Sequence, residues 1–395
     1  MFNAARREVL MGAAMAALSA RTAVGAAGTS VERASAVGKA GAWLEGVFAT
    51  RPAPAISVAV ANPDGLVWAG TAGVANLELA VPARTDTLFP LGSISKVVTS
   101  TLAARLALRG VLDLDAPISA AMPGLPAQHR DTTLRQLLTH RAGIRHFSAA
   151  EADMGTNGSP VFMRVYRSED DVLALFINDP LVAPPGTAVN YSSYGYTLAS
   201  MVMAATSGRA FLDLVEAEIA IPFNVPSLVP DDPWRITPHR AAGYMNDLDL
   251  RMFGAGLPEG AKPKLDNGWA NLPFNNSAYS WSGAGFLMTP SDTARFGAAM
   301  IDSQASVLNE AERALLFTPV TVATKSSPPL GLGWRIDTDK TGRRRWHHAG
   351  ATPGGCQLLV VYPDQRLSVA IAGNVMTMKM NLLQGAAELI EVFTE

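Results

Sequence analysis

Ser93 and Lys96 stand three residues apart at the head of a long apolar run from Leu88 to Gly110. On a helix, positions i and i+3 share a face, so this spacing makes a hydroxyl and a primary amine neighbours. A free serine hydroxyl is a poor nucleophile and needs a base within hydrogen-bond reach. Lysine can serve as that base once it has lost its proton, and removal from water favours the neutral form. An ordinary lysine has a pKa of ~10.4, so half neutrality at pH 7 costs roughly 4.6 kcal/mol. Full burial supplies a change of that size. From Val97 to Leu108 the run is apolar nearly all round, broken mainly by Thr99, Ser100, Thr101 and Arg105, with Gly110 placed to close it. That pattern describes a helix at the centre of a core.

The elements around this helix fall into two kinds. A helix is expected over Val31–Ala49, and a hairpin from Pro54–Ala61 and Leu66–Gly70 about the turn Asn62-Pro63-Asp64-Gly65. Short helices are expected over 132–140, 170–177, 191–207 and 211–219. Residues 228–280, rich in Pro, Gly, Asn and Asp but dotted with aromatics, read as ordered loop. Strand signals return at Leu332–Asp337 and in the hairpin of Gln357–Tyr362 and Leu367–Ala372, before a terminal helix over Leu382–Phe393. Sheet at both ends with helices between predicts an α/β domain: an antiparallel sheet with flanking helices (about 28–85 and 281–395) and an inserted all-helical part (about 86–280).

Composition narrows the function classes. The chain has 395 residues, 17% of them charged, and a formal net charge of −2. No basic face points to nucleic acid and no polybasic run to anionic lipid. Cys356 is the sole cysteine, which rules out an intramolecular disulfide; it reads as a small buried residue. His140 and His146 lack the accompanying ligands of a metal site. No cofactor is expected: there is no glycine-rich phosphate loop, and no Gly-x-Ser-x-Gly elbow either. Residues 1–27 read as an export signal, with Arg6-Arg7, a weakly apolar stretch from Leu10 to Ala20 and small residues after it. The stretch is too short to span a bilayer. Twin-arginine export to the periplasm or beyond is therefore expected, with residues 28–395 as the working domain.

Two further motifs join the first pair in order. Tyr191-Ser192-Ser193 follows Pro184-Pro185-Gly186, and His348-Ala349-Gly350 precedes the second hairpin. Ser-x-x-Lys, Tyr-x-Ser and His-x-Gly in this order resemble the serine β-lactamase and penicillin-binding superfamily. The match is to its tyrosine-containing class C type, with the D-aminopeptidases, DD-peptidases and family VIII esterases. Leu137-Leu138-Thr139-His140-Arg141-Ala142-Gly143 and Ser282–Leu287 resemble supporting segments, and Tyr191–Leu198 is most similar to the mitochondrial serine β-lactamase-like branch.

The resemblance implies a β-lactamase/transpeptidase-like fold and an acyl-enzyme on Ser93. Lys96 and Tyr191 become a coupled acid–base pair, with the identity of the base left open and Tyr191 as donor to the leaving group. His348 stands where the commoner motif has lysine and would donate to a substrate carboxylate or to Tyr191. Gly350 admits substrate close to its strand, and the backbone N–H groups of Ser93 and Ala351 form an oxyanion hole. Ser193 departs from the asparagine that holds the amide side chain of β-lactams. The expected activity is hydrolysis of small esters, amides or D-amino-acid peptides. The alternatives are a true class C-type β-lactamase and a penicillin-binding sensor without turnover.

Overall fold

The computed structural model describes residues 30–155, 159–301, 307–320 and 329–394. The Arg6-Arg7 leader lies outside the described residues. Helix α1 (Ser30–Ala49) leads into the hairpin of β1 (Ala55–Asn62) and β2 (Gly65–Asn76). Its turn narrows to Pro63-Asp64, fixed by the Asn62 side chain accepting the Asp64 N–H at 2.9 Å. A short strand β3 (Val81–Pro82) pairs outside β2.

The chain then turns through a 3₁₀ turn at Gly92–Ile94 directly into α2 (Ser95–Leu108). Next come α3 (Leu134–Leu138), α4 (Ser193–Ser207), α5 (Trp281–Ala284) and α6 (Pro290–Ala299). The remaining strands of the large sheet follow: β4 (Arg335–Thr338), β5 (Arg344–Thr352), β6 (Gly355–Tyr362) and β7 (Leu367–Gly373). The part expected to be all-helical also holds two-residue strands, Phe89–Pro90, Val229–Pro230, Tyr244–Met245 and Ala270–Asn271, in two small sheets of their own. Helix α7 (Leu382–Thr394) ends the described chain.

Strands β1–β7 form one antiparallel sheet in the order β3-β2-β1-β7-β6-β5-β4. The expected mixed fold with a large antiparallel sheet is the one observed. Side chains alternate across it. Ile56, Val58, Val60, Leu358, Val360, Val369 and Ile371 face one way and pack with Leu44 of α1 and Leu389 and Ile390 of α7. Each such burial stabilises by about 1.5–3 kcal/mol. The opposite face carries a patch of small residues, Ala59, Ala61, Ala69 and Ala370, which lets α6 approach through Ala294 and Ala298. A leucine at Ala59 would overfill this contact, at a cost of about 1–3 kcal/mol. Beyond α6 the helices share a second core that contains α2, where Val97, Val98, Leu102, Ala103 and Ala104 have no exposed surface.

Element boundaries moved where local hydrogen bonding overrode periodicity. The helix expected over 132–140 contracts to α3, begun by a capping box between Thr133 and Gln136 and followed by His140 in the left-handed region at φ 58°. The helix expected from Tyr191 starts at Ser193, because Ser192 is the N-cap and its Oγ accepts the Gly195 N–H. Tyr191 therefore stands just outside the helix. The helix expected over 211–219 divides into an α turn at Phe211–Val215 and a π turn at Glu216–Ala220.

Candidate active site

The turn that carries Ser93 is wedged against β5, and two glycines allow it. Gly92 sits at φ 50°, and a Cβ there would collide with the Ala351 nitrogen. A Cβ on Gly350 would run into the Leu91 carbonyl and come within 2.7 Å of the Ser93 nitrogen. The backbone nitrogens of Ser93 and Ala351 are thereby brought into one neighbourhood. Ala351 lies beyond the last pair between β5 and β4, His347 with Arg335.

Ser93 Oγ is bracketed by two groups. Tyr191 Oη donates to it at 2.7 Å, and Lys96 Nζ approaches at 3.1 Å. Lys96 has no exposed surface, and Nζ also meets Ser193 Oγ at 3.0 Å and the Gly283 carbonyl at 2.7 Å. No carboxylate is among these partners. Burial lowers the Lys96 pKa from its ordinary value, opposed in part by Tyr191. The ammonium also lies 4.9 Å from the centroid of the Tyr191 ring. Four of the expected site residues, Ser93, Lys96, Tyr191 and Ser193, thus form one hydrogen-bonded cluster.

His348 and Gly350 enter from β5. His348 is buried; its pKa is lowered to about 3, first by desolvation and then by the charge of Lys96. Its Nδ1 lies 2.7 Å from the Ala349 carbonyl, an acceptor only, so Nδ1 carries the ring proton. No described hydrogen bond joins His348 to Tyr191. His347 turns to the other face as expected, with Nε2 3.3 Å from Asp337 Oδ2 but without hydrogen-bond alignment.

Two histidines to which the sequence assigned no role beyond a dismissed metal site hold the tyrosine segment. His140 Nδ1 accepts the Ser192 N–H at 3.2 Å, and His146 Nδ1 accepts the Ser193 N–H at 3.1 Å. Their rings flank Tyr191 with centroids 4.4 and 5.4 Å away. Both are kept neutral, chiefly by burial and secondly by Lys96: His140 falls well below its ordinary value and His146 to about 4. Arg145 anchors this loop through ion pairs to Glu151 and Asp179 at 2.8 and 2.7 Å, and its carbonyl accepts Ser192 Oγ. The signal for the His140 half of this clamp lay in the Leu-Leu-Thr-His segment, which was legible as a resemblance but without a role. Gly283 lay within the Ser282–Leu287 resemblance, but the role of its carbonyl was not legible, because a backbone acceptor leaves no mark on residue type. No group of three or more His, Cys, Asp or Glu residues arranged to hold a metal occurs among the described residues.

A family model described as Beta-lactamase matches residues 43–390. The chain belongs to the beta-lactamase family. Among its curated relatives is the mitochondrial serine beta-lactamase-like protein LACTB of Bos taurus, 24% identical, with 82% of this chain and 71% of that protein covered. Esterase EstB of Burkholderia gladioli is 28% identical over 60% of this chain and 62% of its own. A solved D-amino acid amidase from Ochrobactrum anthropi SV3 superimposes with a TM-score of 0.74 at 19% identity, covering 90% and 99% of the two chains. The last likeness concerns fold. Cys356 is buried within the sheet of this beta-lactamase fold, on β6 opposite Ala351, and its thiol is pushed up to about 12 by desolvation.

A cavity of about 670 Å³ opens elsewhere, between Leu66, Leu88, Arg235, His239 and Arg295, and none of the Ser93 cluster lines it. Among the described residues no single helix is long and apolar enough to cross a membrane.

Proposed function

We propose that this protein is a serine hydrolase that works through an acyl-enzyme on Ser93. The observation that carries this reading is the placement of Ser93 Oγ between Tyr191 Oη at 2.7 Å and Lys96 Nζ at 3.1 Å. In the proposed reaction Ser93 Oγ bonds to the substrate acyl carbon as its proton passes into the Lys96–Tyr191 pair. The backbone N–H groups of Ser93 and Ala351 receive the developing oxyanion, each contributing on the order of 3 kcal/mol. The bond to the leaving group then breaks, and Tyr191 returns the proton to the departing atom. Water repeats the sequence on the acyl-enzyme and releases the acid.

The proposed substrates are small esters, amides or D-amino-acid peptides. Support comes from relatives named an esterase and a D-aminopeptidase, the latter from Gluconobacter oxydans. Ser193 in place of an amide-bearing side chain, and a neutral His348 in place of a fixed cation, favour simple esters over β-lactams. The test is a time course with a chromogenic ester, read together with mass spectrometry after fluorophosphonate labelling. Repeated turnover and an adduct on the Ser93 peptide support the reading. A single stoichiometric burst would make the protein an acylating sensor, and an adduct on another serine would overturn the assignment.

We also propose that Arg6-Arg7 directs export by the twin-arginine route, with residues 1–27 as the signal. Support comes from the order of the paired arginines, the weakly apolar stretch and the small residues up to Gly28.

A further inference from the structure

The three imidazoles near Ser93 are not in the same protonation pattern. His140 and His146 both accept backbone N–H groups at Nδ1, so their protons sit on Nε2. His348 is reversed. Its Nδ1 faces the Ala349 carbonyl at 2.7 Å and must donate; in the buried, neutral ring the single proton is then used there, which leaves Nε2 bare. That Nε2 has no partner among the described residues, yet it is not sealed from solvent as both ring nitrogens of His347 are. It belongs to the β5 stretch against which the nucleophile turn is packed, two residues before Gly350.

Resting on the hydrolase reading above, we propose that His348 offers substrate a hydrogen-bond acceptor rather than a cation. The site therefore selects an uncharged or hydrogen-donating group where a lysine would have held a carboxylate. A carboxylate brought against the bare Nε2 meets lone pairs with lone pairs. A carboxamide of the same shape can turn its NH₂ toward that nitrogen and gain a bond. The expectation that His348 would donate to a carboxylate is replaced by its opposite. Two other cations bear on His348: Lys96, which is engaged with three oxygens, and Arg335, which begins β4 and whose charge also reaches this ring. Arg335 is the rival explanation to be tested.

The experiment uses a matched pair of substrates, 4-carbamoylphenyl and 4-carboxyphenyl butyrate, with kcat/KM corrected for their rates in buffer. The wild type should prefer the carboxamide by about tenfold, the scale of one neutral hydrogen bond gained. His348→Lys should move that ratio at least tenfold toward the carboxylate. A wild-type preference for the carboxylate, or a ratio unmoved by His348→Lys, would overturn the proposal. Loss of a carboxylate preference in Arg335→Gln would then identify the guanidinium as the anchor. An independent readout does not depend on turnover or on His348→Lys folding: two-bond ¹H–¹⁵N correlation of the wild type, with His348 assigned from His348→Gln. It should show Nδ1 protonated and Nε2 bare, and a proton on Nε2 would sink the idea. If neither ester is hydrolysed, the hydrolase reading fails while the spectrum still decides the tautomer.

Discussion

Ser193 Oγ lies 3.0 Å from Lys96 Nζ, so this hydroxyl is engaged inside the Ser93 cluster. Its backbone is fixed as well, by the N–H donated to His146. Short-chain aryl esters need mainly the nucleophile and the oxyanion hole, whereas β-lactams need a side-chain amide to be held. We expect 4-nitrophenyl butyrate to be turned over at least ~10²-fold faster than nitrocefin by kcat/KM, about 2.7 kcal/mol in transition-state binding. Ser193→Asn should narrow that gap. Equal wild-type turnover of the two would promote the β-lactamase alternative.

Lys96→Arg keeps the positive charge but offers a guanidinium that does not deprotonate at working pH. If Lys96 passes protons, this variant should lose activity nearly as severely as Lys96→Ala, on the order of 10²–10⁴ in kcat. Near wild-type rates would reduce Lys96 to a fixed charge and move the base role to Tyr191.

The clamp on the tyrosine segment can be taken apart at His146. Asparagine places an oxygen near the Nδ1 position and can still accept the Ser193 N–H, while phenylalanine keeps a ring beside Tyr191 but leaves that N–H unpaired. His146→Phe should be less stable than His146→Asn by about 1–3 kcal/mol, measured by urea unfolding. The reverse order would mean that ring packing, not the hydrogen bond, holds the segment.

Stability should depend on pH in a defined window. His146 and His348 have folded pKa values lowered to about 4 and about 3, from an ordinary 6.5. Between those limits the unfolded chain binds more protons than the folded one, so stability rises with pH and this contribution is complete above 6.5. Thermal midpoints should therefore fall as pH drops from 6.5 toward 4, and His146→Asn should flatten the slope. A midpoint independent of pH over this range would contradict the buried, neutral imidazoles.

Changing Arg6 and Arg7 together to lysine preserves charge but not a receptor-read pair of arginines. The protein should then stay in the cytoplasm, as fractionation and immunoblotting would show. Unchanged export would point to another route.

What was legible in the chain followed from side-chain type at short range. Ser93 and Lys96 announce themselves by spacing within one helix turn, and the hairpins by their turn residues. Tyr191 and His348 became visible only through the order of motifs, because 98 residues separate Tyr191 from Ser93 along the chain. The roles of His140 and His146 stayed hidden because they act on backbone N–H groups 52 and 47 residues away, a relationship that no periodicity encodes. The tautomer of His348 was beyond sequence for a similar reason: it depends on which carbonyl the ring meets, here that of the very next residue.

The position of β1 in the sheet has a consequence for how the molecule is made. β1 lies between β2, which follows it at once, and β7, whose residues arrive some three hundred positions later; Ala55 even bonds the Asn374 side chain across 319 residues. At about 5–20 residues per second a ribosome needs on the order of 15–60 s to cover that span. During this interval Ile56, Val58 and Val60 have only one of their two strand partners. A nascent chain stalled before Leu367 should therefore hold an unfinished sheet centre, open to chaperones and proteases. Arrival of β7 is the event that closes it.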